Sequence, residues 1–130
     1  MKAIFLVKNG SAASAFEFRE IPIPVPQPEQ VLIKVDAFGL NFADIMARNG
    51  MYKEAPPMPC VLVYDVAGTV TSVGTSVINV KKGDRVTAMT RFGGYAEYAL
   101  TDSRATAIIP DNIDATTATA MTTQFCTAYY

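Results

Sequence analysis

The stretch VLIKVDAFGLNFADIMARNGMY, residues 31–52, decides how the chain is read. Its opening run, 31–38, is β-branched and apolar and ends at Gly39 just before a change of period, which predicts a central strand. Beyond it, Asn41 suits a helix N-cap and Asp44 falls at the third helical position, where a carboxylate faces the free backbone amides. Gly50 suits the left-handed position after the last turn. The spacing therefore predicts a short helix over 42–49, with Tyr52 just beyond it. A strand thus delivers a polar cap, a carboxylate and a phenol around one helix. The exposed amides and positive dipole end there suit a carbonyl oxygen or an anionic group. Plain capping, with Tyr52 as an ordinary half-buried aromatic, satisfies the same spacing.

On the N-terminal side, residues 2–8 and 15–20 read as two strands of a hairpin turning through Asn9, Gly10 and Ser11, the second alternating Phe16 and Phe18 with Glu17 and Arg19. Prolines at 22, 24, 26 and 28 make 21–30 a stiff extended connector. On the C-terminal side a proline-punctuated loop, 53–60, leads into a strand within 61–74, where Gly68 and Gly74 mark a bulge and a turn. Further strands are expected over 84–90, 94–100 and 104–109, and this cadence of short strands points to a barrel or a sandwich. In the last segment Asp114 can cap a helix over 115–130, with Ala115, Ala118, Met121, Phe125 and Ala128 at roughly helical spacing. No stop signal precedes Tyr130, so the expectation is a helix that runs on in a longer parent.

Composition narrows the function classes. The 130 residues suit one domain with a real core, and 50% are hydrophobic. No apolar run approaches the roughly 18 residues needed to cross a bilayer, so no membrane insertion is expected. Eleven basic and 12 acidic residues give a net charge of -1 without a basic stripe, which argues against nucleic acid. The apolar run after Lys2 is too short for a signal peptide, and the protein is read as cytoplasmic. Cys60 and Cys126 are far apart and read as buried apolar thiols, neither a disulfide framework nor a zinc site. Histidine is absent, which removes the commonest general base and a common metal ligand. Chemistry must then use Tyr, Asp, Asn, backbone groups or a cofactor.

Taken in order, MKAIFLVKNG (1–10), residues 31–52, YDVAGTVTSVG (64–74), KKGDRV (81–86), GGYAEYAL (93–100), the run 108–114 and TTATAMTTQFCTAYY (116–130) resemble the medium-chain dehydrogenase/reductase superfamily. The likeness is to its zinc-independent quinone oxidoreductase branch. It implies a mainly β fold, a GroES-like partly open β-barrel over 1–114 forming the substrate domain, with 115–130 starting a helix that leads to a Rossmann domain binding NADPH. No glycine-rich phosphate loop occurs in these residues. The resemblance further implies NADPH-dependent reduction of quinones, enones or related carbonyl compounds, in a homodimeric parent, with these residues alone inactive. A rival reading is a stand-alone GroES-like barrel used for binding or assembly, and fold alone does not choose between them.

Zinc-dependent members place Cys, His and Glu where Asn41, Tyr64 and Asp65 stand, so no metal ligands and no zinc are expected. Asn41 and Asp44 match positions at the nicotinamide end of the cleft; Tyr64, Thr127 and Tyr129 resemble positions near the cofactor. Tyr52 matches a tyrosine bordering the substrate pocket. Tyr52 and Asn41 are thus the implied catalytic pair, stabilising oxygen charge or donating a proton. One departure stands out: the family usually has Gly where this chain has Val63, so the side chain either crowds the cleft or simply extends the strand.

Overall fold

The computed structural model describes residues 1–130. The opening hairpin pairs β1 (Lys2–Leu6) with β2 (Phe16–Glu20) in antiparallel register, Lys2 opposite Glu20 and Leu6 opposite Phe16. A four-residue helix, α1 (Ala12–Ala15), replaces the expected simple turn and buries Ala15. The alternation in β2 is only half used, since Phe16 packs inward while Phe18 is 80% exposed. Residues 21–27 carry no regular structure, as three prolines without amide donors dictate.

Five strands make the main sheet, in the order β6-β3-β4-β5-β7 and antiparallel throughout. They are β3 (Gln30–Phe38), β4 (Asp65–Val73), β5 (Arg85–Met89), β6 (Tyr98–Asp102) and β7 (Thr106–Ile108), the last preceded by a 3-10 turn at Ser103–Ala105. The sheet does not close on itself. The hairpin lies against its open side through isolated bridges between Ala3 and Ala96 and between Leu6 and Cys60, which makes the expected partly open barrel. β6 starts later than the sequence suggested, because residues 92–97 leave the sheet direction to reach β1. Val31, Ile33, Val66, Val70 and Val86 fill the main core, each at most 1% exposed.

α2 (Phe42–Arg48) follows β3 after Gly39, and Gly50 takes φ +75° to stop it. Ala47 buries its inner face against Leu6, Ala15, Cys60 and Leu62, a second small core edged by Tyr52 and Phe92. Met51, just past this helix, is exposed. The terminal helix is capped as expected, with the Asp114 carboxylate accepting from Thr117 N–H at 2.8 Å. It then runs as α3 (Ala115–Ala120), a π-helical segment Met121–Phe125 and α4 (Cys126–Tyr129). The apolar spacing mispredicts its inner face. Ala118, Thr119 and Thr122 are buried, whereas Met121 and Phe125 are 44% and 63% exposed. Ala118 packs with Ala67 and Ile109, and the Thr122 hydroxyl bonds the Thr87 hydroxyl, so a β5 threonine selects a polar partner. Cys60 is buried as read, and Cys126 is exposed instead.

Candidate functional site

A polar knot sits where β3 gives way to α2. Asn41 and Asp44 form a capping box, with Asp44 Oδ2 accepting from the Asn41 backbone N–H at 2.9 Å. Asp44 Oδ1 accepts from the Val63 N–H at 3.0 Å, tying the helix to the segment that enters β4. The Asn41 side-chain amide donates to Asp65 Oδ1 at 2.9 Å, and Asp65 Oδ2 accepts from the Thr123 N–H at 3.3 Å. Three stretches far apart in sequence, 41–44, 63–65 and 123, thereby meet at two carboxylates. Gly39 is required here, because a Cβ at that position would come within 2.5 Å of Asp65 Oδ1. Asp44 is 8% exposed and Asp65 1%. Burial pushes the Asp44 carboxyl above the ordinary carboxylate range; the two backbone donors oppose this, and the nearby Asp65 charge adds to it.

Above the knot opens a hollow of about 400 Å³ lined by Phe16, Leu40, Phe42, Ile45 and Tyr95, with Asn41, Asp44 and Val63 in its wall. Leu40 and Phe42 are 64% and 74% exposed at its mouth. An apolar hollow with a few polar groups on one wall suits a flat, largely apolar molecule with one oxygen to be oriented. No group of three His, Cys, Asp or Glu side chains is arranged to hold a metal ion.

The expected site residues divide into three sets. Asn41 and Asp44 come together at the hollow. Tyr52 is not in its lining; its hydroxyl lies 2.6 Å from that of Tyr64, whose ring packs 5.0 Å from Phe92. Burial, followed by the hydrogen bond to Tyr52, pushes the Tyr64 phenol well above its usual range. The phenol pair joins the knot through the consecutive residues Val63, Tyr64 and Asp65. Thr127 and Tyr129 stand apart on α4, both exposed, Tyr129 at 96%.

Two members of the site escaped the sequence reading. Asp65 carries the central carboxylate, and its signal was a lone acid inside the apolar run 61–70. Thr123 had no signal, yet its backbone reaches Asp65 and its hydroxyl is buried without a hydrogen-bond partner. Val63 does not extend the strand: its φ is +80°, and β4 begins only at Asp65.

Comparison with known proteins fits this geometry to a family. Residues 27–111 match the alcohol dehydrogenase GroES-like domain. A quinone oxidoreductase of Lama guanicoe is 41% identical over 99% of this chain, and the rat synaptic vesicle membrane protein VAT-1 homolog is 40% identical over 82%. Among solved structures, a human VAT-1 homolog-like protein superposes with TM-score 0.95 at 33% identity over 99% of the chain. The Escherichia coli quinone oxidoreductase complexed with NADPH gives 0.93 at 30% identity over 100%. The chain spans between a quarter and two fifths of these relatives, 39% and 26% of the two sequences and 41% and 40% of the two structures. With its open GroES-like sheet, its capped helix and these relatives, the chain belongs to the quinone oxidoreductase-like medium-chain dehydrogenases/reductases, as a member carrying their GroES-like domain.

Proposed function

We propose that these residues form the acceptor-binding lobe of a zinc-independent, NADPH-dependent oxidoreductase that reduces quinones, enones or related carbonyl compounds. The observation that carries this reading is the apolar hollow with Asn41 on its wall, directly over the Asp44 and Asp65 carboxylates. In the same reading the helix from Ala115 onward leads to a Rossmann domain, and the protein works in the cytoplasm, where its two unpaired cysteines suit a reducing compartment. No helix is long and apolar enough to cross a membrane.

For the cofactor, the fit extends to one end only. The unpartnered Thr123 hydroxyl and the Asn41–Asp65 pair offer polar groups to a nicotinamide carboxamide, with Asp44, Tyr64, Thr127 and Tyr129 as further contacts, whereas no phosphate cradle occurs in these residues. When bound, NADPH supplies a hydride. The remaining tasks fall to this chain. Leu40, Phe42 and Ile45 exclude water from one face of the acceptor. Asn41 uses one side-chain N–H on Asp65, which leaves its second for the acceptor oxygen. Tyr52 and Tyr64 stand outside the lining of the hollow and share a hydrogen bond; in this reading Tyr52 is the proton source for the reduced oxygen, and the Tyr64 O–H holds the phenolate that forms on it.

Steady-state kinetics on a protein joining these residues to a Rossmann domain tests the assignment. Tyr52→Phe should lower kcat about 100-fold, the range of a lost general acid, with little change in KM. Unchanged turnover would remove the role given to Tyr52. The 130 residues alone should not oxidise NADPH with a quinone.

A further inference from the structure

The hollow over α2 has two polar ends. Asn41, Ile45 and Arg48 all line it, at positions i, i+4 and i+7, so one face of the helix runs along it. A rise of about 1.5 Å per residue sets Asn41 and Arg48 roughly 10 Å apart along the axis. Between them the lining is apolar, with Phe16, Leu40 and Leu62 joining Ile45. Arg48 is the one cation in that lining; it is half-buried and belongs to none of the chain's ion pairs. Its Nη1 donates to the Gly10 carbonyl at 2.9 Å, which holds the guanidinium against the turn of the opening hairpin. That bond uses one of five N–H donors and leaves the charge without a counter-ion. A cation also suits the C-terminal end of α2, but that role requires no place beside the hollow. At the other end the wall holds the Asp44 carboxyl, with Asp65 bonded to Asn41, so an anion is disfavoured there and favoured at Arg48.

We propose that Arg48 is an anion-binding subsite of the hollow, and that the preferred acceptors are carbonyl compounds carrying a carboxylate roughly 10 Å from the reducible oxygen. The inference rests on the reading of the hollow as an acceptor site and deepens it by naming the substrate class. The carbonyl oxygen lies at Asn41, the apolar body covers Ile45, and the carboxylate pairs with the Arg48 guanidinium. A planar fork already held by one hydrogen bond loses little freedom on pairing, and a charge-assisted pair is about twice as strong as a neutral hydrogen bond.

The test titrates the intact 130-residue chain, labelled with ¹⁵N, with para-carboxybenzylideneacetone, an enone with a carboxylate across its ring, and with the methyl ester of that compound, which lacks the charge. Binding is followed at the backbone amides of residues 41–48. The wild type should bind the acid about 10-fold more tightly than the ester, and the preference should shrink at high salt. Arg48→Met should bring the two ligands within about twofold by weakening the acid alone, and Arg48→Lys should keep most of the preference. Amide dispersion reports the fold of each variant, and the salt dependence of the wild type tests the charge with no substitution at all. Equal affinities for acid and ester in the wild type, or a preference that survives Arg48→Met, overturn the role of Arg48 and leave the acceptor site standing. If neither ligand shifts these amides in the wild type, both readings fall.

Discussion

The main core of the five-stranded sheet is Val31, Ile33, Val66, Val70 and Val86, all apolar and all on antiparallel paired strands. At the corner where α2 begins, the buried positions include two carboxylates, Asp44 and Asp65, and a valine in the left-handed region. The sheet gains from burying apolar area, which needs no particular partner. The corner holds because its two carboxylates meet specific donors, and because backbone strain is clamped by hydrogen bonds from three directions. A framework of the first kind can carry a defect of the second kind, and that division is what locates a binding surface on this fold.

The difference can be broken most forcefully from the sheet side. Ile33→Ala removes a fully buried side chain from the main core and should cost about 2–5 kcal/mol in urea-induced unfolding. A loss under about 1 kcal/mol, that of a single methylene, would mean that the framework is not where stability resides. At the corner, Asp44→Ala should cost about 1–3 kcal/mol, because the Asn41 and Val63 N–H groups lose their acceptor.

That substitution also carries a pH signature. The ordinary carboxyl value is 3.8, and the folded chain holds Asp44 above it. Between 3.8 and the raised folded value, the folded state keeps a proton that the unfolded state has released. The contribution of this titration to stability is therefore fully present below 3.8 and is lost as pH rises through the folded value. Exposed Asp102 acts in the opposite sense. Its bonds to Arg104 hold it down at about 2, so its contribution is present above 3.8 and is lost as pH falls through about 2. The Asp102 contribution is common to wild type and Asp44→Ala and cancels in their difference, so in thermal unfolding against pH the two should differ in slope above 3.8, where only the wild type loses the Asp44 contribution as pH rises.

The smallest effect sharpens the contrast most. At an ordinary buried position glycine is less stable than alanine; at residue 63 the order should reverse, with Val63→Gly more stable than Val63→Ala by about 1–2 kcal/mol, the cost of placing a Cβ in the left-handed region. Chemical denaturation of the two variants side by side decides it, and alanine above glycine would mean that the backbone at 63 relaxes out of that region.

Much of the local structure was legible in the sequence. Asn41, Asp44 and Gly50 announced a short capped helix, and they form one, because capping is chemistry among residues three to nine positions apart. The pairing of Tyr52 with Tyr64 was not legible, nor was the joining of Asn41 to Asp65, since a loop with no periodic signal separates each pair. The terminal helix misled for a related reason. Its apolar spacing is sound, but Thr87 on β5 offers a hydroxyl, so Thr122 turns inward and Phe125 outward.

The order of β-branched runs, prolines and caps by itself determined that this chain makes a short-stranded sheet interrupted by one small helix. Those preferences are set by each residue's own backbone sterics and by hydrogen bonds within one turn. Only the folded chain decided that Val63 takes a glycine's conformation and that two acids share a corner. Both depend on donors brought from distant strands, and no local preference of valine or aspartate encodes them.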